Sequence, residues 1–198
     1  MTRKARMDMI AETRSKLIGA ARQAFGAYGY ANTSMDELTA SVGLTRGALY
    51  HHFGDKKGLL AAVVEEIDLE MDDRLDKISK SAVNLWEGFT SCCHAYIQMA
   101  LEPEIQRILL RDAPSVLGAG YVQAYELSCV KSIAHMLQLL MDDGIIISTD
   151  SEALARLING GLMSTVFWLA NSEDVQSSLE AALNSLSVLL NGMIVAQA

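Results

Sequence analysis

Two short helices meeting at a tight corner are written into Ser34–Lys57, SMDELTASVGLTRGALYHHFGDKK, and everything else in the chain has to accommodate them. Ser34 and Glu37 have the spacing of a capping box, in which the serine oxygen accepts from a free backbone N–H and the glutamate reaches back to the serine's own. Met35, Leu38 and Val42 then recur at three and four residues, an inward face, and Gly43 follows where a left-handed residue ends the helix. Thr45 is placed to cap a second helix that buries Ala48, Leu49 and Phe53. Its other side carries Thr45, Arg46, Gly47, Tyr50, His51 and His52, none aliphatic and nearly all able to hydrogen-bond. A helix-turn-helix with such a face suits the rim and floor of a DNA major groove.

The longer run GYANTSMDELTASVGLTRGALYHHFGDKKGLL, residues 29–60, resembles the signature of the TetR family of transcriptional regulators. Gly29, Thr33, Val42-Gly43, Gly47, Leu49-Tyr50, His52-Phe53, Lys56 and Leu59-Leu60 carry the resemblance. Outside that run the chain is similar to the family in length and helical pattern, and RILLRDAPSVLG, residues 107–118, looks like a segment of one subgroup of its regulatory domains. The resemblance implies an operator-binding head, a ligand-binding body, and a homodimer built from the last two helices of each protomer.

Composition agrees with two helical cores. In 198 residues with 51% hydrophobic content there are only two prolines, so little interrupts long helices, and the fold class expected is all-α with about nine helices. The formal charge of −8 argues against nucleic acid only if it is spread evenly. Residues 1–60 hold nine Lys and Arg against five acids, a net of +4, which leaves −12 for the remainder. A basic head on an acidic body is what a groove-binding domain joined to a different module shows.

Cys92, Cys93 and Cys129 form no C-x-x-C and are odd in number, so neither a disulfide framework nor a zinc site is expected. Adjacent helical residues point about 100° apart, which also weakens a metal reading of Cys92-Cys93-His94. His94 and His135 lack a serine or cysteine signature around them, so no catalytic residue, metal or cofactor is expected. The Met-rich beginning has no apolar stretch resembling a signal peptide, and Leu157–Ser172 and Ala181–Ala198 read as buried helices rather than membrane spans. A cytoplasmic location is the expectation.

In chain order, residues 1–8 read as a basic arm and helix 1 as Met9–Tyr28. Asp55 caps helix 4, which runs on through Leu60, Val63, Ile67, Met71, Leu75 and Ile78, with no linker between a DNA-binding domain at 1–55 and a ligand-binding and dimerisation domain at 56–198. Helix 5 is expected at 82–101, helix 6 from Pro103 to near Pro114, helix 7 from about Tyr121 to Asp142, helix 8 opened by Thr149-x-x-Glu152, and helix 9 capped by Asn171 or Ser172. Leu179, Leu183, Leu186, Leu190 and Met193 alternate at four and three, and Ala182 and Leu189 widen that stripe into two-sided burial. One side suits a helical partner, with Gly160 and Gly161 allowing close approach.

The candidate DNA contacts are Thr33, Ser34, Thr45, Arg46, Gly47, Tyr50, His51, His52 and Lys56. Arg46 suits a guanine edge or a phosphate, and His51 a base edge or thymine methyl; Gly47 lets the backbone approach; Tyr50, His52, Lys56, Thr33 and Ser34 suit phosphates. Phe89, Tyr96, Tyr125 and Phe167 are the candidate lining of an apolar ligand pocket. Asp112 reads as a carboxylate held by Arg107 or Arg111, the alternative being a ligand contact. Together these give a dimeric regulator, a repressor released from an inverted repeat by a hydrophobic or amphipathic small molecule. The competing reading is a helical small-molecule-binding protein or enzyme whose helix-turn-helix is scaffold only.

Overall fold

The computed structural model describes residues 3–195, with side chains from residue 7 onward. The first helix, α1 (Arg3–Tyr28), is longer than its periodicity predicts: the expected arm at residues 1–8 is helical from Arg3, and its first two residues lie outside the described ones. Leu17, Ile18, Ala21 and Phe25 follow one another at helical spacing and are all but fully buried, each burial contributing roughly 1.5–3 kcal/mol for the larger side chains. Gly29, at φ +79°, turns the chain out of α1.

The corner forms as its residues require. α2 (Met35–Ser41) begins with the Ser34 side chain accepting from Glu37 N, and Gly43 at φ +66° turns the chain toward α3 (Arg46–Phe53). Thr45 Oγ1 accepts from Ala48 N at 3.3 Å, as a helix cap should. Leu38 and Leu49 are the pins of the pair, 4% and 0% exposed, while Met35, Val42, Ala48 and Phe53 are half-buried.

α4 (Lys56–Ser81) runs unbroken. Asp55 caps it by accepting from Gly58 N at 2.7 Å, and Leu59, Leu60, Val63, Val64, Ile67 and Met71 form its buried stripe. α5 (Leu85–Met99) follows, then a helical run in three parts, Pro103–Ile105, Gln106–Asp112 and Ala113–Leu117, together called α6. The middle part is π-helical, with i→i+5 bonding. α7 (Ala119–Asp142), α8 (Ser151–Leu169) and α9 (Val175–Asn191) complete nine helices among the described residues. The all-α expectation holds.

Three caps differ from expectation. Asn84 caps α5, so that helix starts later than Ala82; Asp150 rather than Thr149 caps α8, accepting from Ala153 N at 2.7 Å; and Asp174 rather than Asn171 or Ser172 caps α9, accepting from Ser177 N at 3.0 Å. At α8 and α9 a short Asp outcompetes a neighbouring candidate for the first free amides. Ser172 instead joins Ser178 Oγ at 2.6 Å. The apolar connector at 145–147 is pinned by an isolated antiparallel bridge between Ile146, 1% exposed, and Ile194.

By its contacts the chain divides into Met1–Glu70 with Pro103–Ala119, and Met71–Glu102 with Gly120–Ala198. The first unit gathers α1 to α3, the first half of α4, and α6, whose Ile105, Ile108, Leu109 and Ala113 are buried. The second has its core in Phe89, Cys93 and Ile97 of α5, Leu137 and Leu140 of α7, and Ile158, Leu162, Val166 and Leu169 of α8.

Candidate nucleic-acid interface

On α3 the outward side chains divide by what already holds them. Thr45, Arg46, Gly47, Tyr50 and His51 are exposed, and His52 is half-buried with its ring 5.6 Å from that of His51 and 6.0 Å from that of Phe53. Arg46 donates from NH2 to Tyr50 Oη at 2.9 Å and from NH1 to Asp36 Oδ2 of α2 at 3.2 Å, with its guanidinium 5.5 Å from the Tyr50 ring centroid. The Tyr50 bond, with Asp36 adding to it, raises the Arg46 pKa further above its ordinary value. A guanidinium fork on the exposed side of α3 is therefore held beside a phenol, groups of the kind that hydrogen-bond guanine edges and phosphates.

Thr33 and Lys56 stand differently. Thr33 is 6% exposed and its hydroxyl donates back to Gly29 O at 2.8 Å. Lys56 Nζ donates to Thr33 O at 2.7 Å and sits 4.6 Å from the Tyr30 ring centroid; burial pushes its ammonium below the usual lysine range, with the Asp112 charge opposing that shift. Both side chains serve the α1–α2 turn in this structure, and Ser34 serves as the α2 cap. A sequence pattern that marks positions near phosphate does not say whether a hydroxyl or ammonium is spent internally.

A second set of polar residues fixes the first unit, and the sequence pattern points to Asp112 and Arg107 within it but not to the cluster around Arg22. Arg22 of α1 makes paired hydrogen bonds to Glu70 (2.7 and 2.7 Å) and to Glu104 (2.7 and 3.0 Å), and lies 3.5 Å from Glu66. Those bonds, Glu70 first, raise its pKa. Tyr30 N donates to Asp112 Oδ2 at 2.7 Å, and Arg107 Nε lies 3.7 Å from the same oxygen. Of the two arginines offered for Asp112, Arg107 is the one beside it.

In the second unit Phe89 is 3% exposed, Tyr96 donates to Met163 Sδ at 3.0 Å, and Tyr125 stacks on Tyr121 with centroids 6.2 Å apart. Phe167 stands apart at 44% exposed, with Trp168 beside it at 51%. His94 Nε2 lies 3.0 Å from Ser187 Oγ, which also donates to Leu183 O at 2.8 Å; the serine's single proton is thus used, and His94 Nε2 is the donor of the pair. Burial lowers the His94 pKa.

Along α9, Leu190 is fully buried within the protomer and Leu179, Leu183 and Leu186 are half-buried, whereas Met193, expected on the same stripe, lies in the turn after the helix ends at Asn191. Apolar groups left outward include Val175, Val188 and Leu189 on α9 and Leu157, Phe167 and Trp168 on α8, where a Cβ added at Gly160 or Gly161 meets nothing within 4 Å. Among the described residues no group of three or more His, Cys, Asp or Glu is disposed to hold a metal ion, and no helix is long and apolar enough to cross a membrane.

Comparison with known proteins bears on both ends of the chain. A family model described as bacterial regulatory proteins, tetR family, matches residues 17–63, and one described as tetracyclin repressor-like, C-terminal domain, matches residues 86–193. A TetR-family transcriptional regulator of Pectobacterium atrosepticum, solved as a crystal structure, is 50% identical over the whole of both chains with a TM-score of 0.85. The transposon Tn10 TetC protein of Escherichia coli is 25% identical over 82% of this chain and 83% of its own. The transcriptional repressor AcnR of Corynebacterium glutamicum is 29% identical over 53% of this chain and 55% of its own.

Proposed function

Because the chain belongs to the TetR family and is a DNA-binding transcriptional regulator, we propose that it is a homodimeric repressor that blocks a promoter by occupying an inverted-repeat operator. The observation that carries the reading is the exposed face of α3, where Arg46, Tyr50 and His51 stand together on a capped helix behind a tight corner. The name repressor borne by AcnR supports the direction of control. Residues 1–55 form the DNA-binding domain in this proposal and residues 56–198 the ligand-binding and dimerisation domain, the protein acting in the cytoplasm without catalysis of its own.

Arg46 and His51 read base edges, Gly47 admits the backbone, and Thr45, Tyr50 and His52 contact phosphate, joined by Ser34 at the start of α2. Thr33 and Lys56 enter as supports that become phosphate donors only if the α1–α2 turn gives them up. Dimerisation uses α8 and α9, where Gly160 and Gly161 leave room for a second backbone and Leu157, Val188 and Leu189 supply apolar cover. A small hydrophobic or amphipathic effector binds among Phe89, Tyr96 and Tyr125, with Met163 beside Tyr96, and shifts the protein toward a state with lower operator affinity. Only a difference in its affinity for the two states can drive that shift.

Replacement of both Tyr50 and His51 by alanine tests the reading. Specific DNA binding should fall more than tenfold while helicity and melting temperature stay near wild type, since a good base contact supplies about 1–3 kcal/mol of discrimination. Unchanged binding by a folded double variant would contradict it.

A further inference from the structure

Asp112 lies five positions after Arg107, and in an α-helix that spacing sets two side chains about 140° apart around the axis. The π-helical bonding of Gln106–Asp112 takes more residues per turn, so residue i+5 returns close to the line of residue i. Arg107 and Asp112 consequently meet on one side of α6, Nε to Oδ2 at 3.7 Å.

That side faces the end of α1 within the same unit. Asp112 accepts the Tyr30 amide at 2.7 Å, and Arg107 NH2 donates to Tyr28 O at 3.3 Å. The guanidinium fills the space a side chain would need at Gly29, where an added Cβ would lie 2.0 Å from Arg107 NH2. Arg107 Nε is buried and makes no hydrogen bond, so the ion pair with Asp112 is what compensates its burial. From the clasped turn the contacts continue through Tyr30, whose ring lies under Lys56, and Thr33, whose carbonyl takes the Lys56 ammonium. In sequence α6 is inserted between two stretches of the second unit, 71–102 and 120–198, so both its ends are joined covalently to that unit.

We propose that residues 106–112 form a register-dependent latch on the DNA-binding head, in which the π register lets Arg107 and Asp112 together hold the Gly29–Tyr30 turn in its DNA-competent setting. A slip of α6 into α register would carry Asp112 away from Tyr30 while Arg107 stayed, opening the turn that seats Thr33 and Lys56. Arg107 and Asp112 are positioning residues: they act on DNA through Tyr30 and Lys56. The latch rests on the operator-binding reading and adds to it the element of the first unit that sets the affinity.

The test uses the full-length protein, an operator selected from random DNA by the wild type, and hydrogen exchange at the Tyr30 amide. Asp112→Ala should speed Tyr30 exchange and weaken operator binding about tenfold, a hydrogen bond to a charged group being lost. Asp112→Asn, which keeps an acceptor for Tyr30 but no charge for Arg107, should fall between, and it carries the test if the alanine variant does not fold. Deleting Arg111, an exposed residue of the π segment, shortens the spacing to i,i+4, which aligns the pair in a plain α-helix. This variant should bind the operator at least as well as wild type and exchange Tyr30 more slowly. Wild-type affinity in Asp112→Ala with faster Tyr30 exchange would overturn the latch and leave the regulator reading standing, as would a folded Arg111 deletion that binds as weakly as Asp112→Ala. Failure of the wild type to select any operator would overturn the regulator reading itself.

Discussion

Asp36 of α2 holds Arg46 of α3 at 3.2 Å across the corner of the helix-turn-helix, so the main candidate for base reading is paired with a carboxylate before any DNA arrives. Both side chains are more than half exposed, and such a pair contributes little to stability. Its consequence is for binding: the acid competes for the guanidinium and repels phosphate. Asp36→Ala should therefore raise affinity for arbitrary DNA several-fold and steepen the log–log salt dependence by about one unit, because one more phosphate contact is freed. Fluorescence anisotropy across a salt series measures both, and an unchanged slope would show that Arg46 was already free to bind.

Gly29 and Gly43 both take positive φ, +79° and +66°, yet they should not respond alike to alanine. At Gly43 nothing lies within 4 Å of an added Cβ, and the cost is the left-handed backbone alone, about 1–2 kcal/mol. At Gly29 the methyl group also displaces the Arg107 guanidinium from its seat. Thermal melts should rank Gly29→Ala below Gly43→Ala, and the gap should close when Arg107 is itself alanine. Equal melting temperatures in the two single variants would mean that Arg107 moves aside freely.

His94 gives the second unit a pH response of definite sign. Burial holds its pKa below the ordinary value near 6.5, so in the window below that value the unfolded chain binds the proton more readily than the folded one. The stability that comes from keeping the buried His94 ring neutral is fully present above about pH 7 and is lost as pH falls through the folded pKa. Melting temperature should decline from pH 7 toward pH 5, and His94→Gln should flatten that decline. An identical slope in the variant would assign the acid response to other groups.

How far the sequence announces this structure depends on whether a feature is local. Gly29, Gly43, Thr45 and Asp55 act on their own neighbours, and the corner they define forms where the pattern predicts. Thr149 and Ser172 are passed over for Asp150 and Asp174 because choice among adjacent caps depends on backbone angles that the pattern does not carry. The π segment is hidden for a related reason: Ile105, Ile108, Leu109 and Ala113 are a buried face that reads equally well in α register. Lys56 and Thr33 show the remaining gap. Their positions follow from the motif, but the carbonyls that claim them belong to a turn whose geometry depends on Asp112, 82 residues from Tyr30.

Selection from a randomised duplex pool under rising salt, with sequencing of the surviving DNA, tests the central claim most directly. The account predicts that one inverted repeat is enriched as salt removes nonspecific, phosphate-only binding, and that the Tyr50 and His51 double alanine variant enriches nothing. Loss of all DNA at high salt by the wild-type protein, with no sequence preferred, would contradict it.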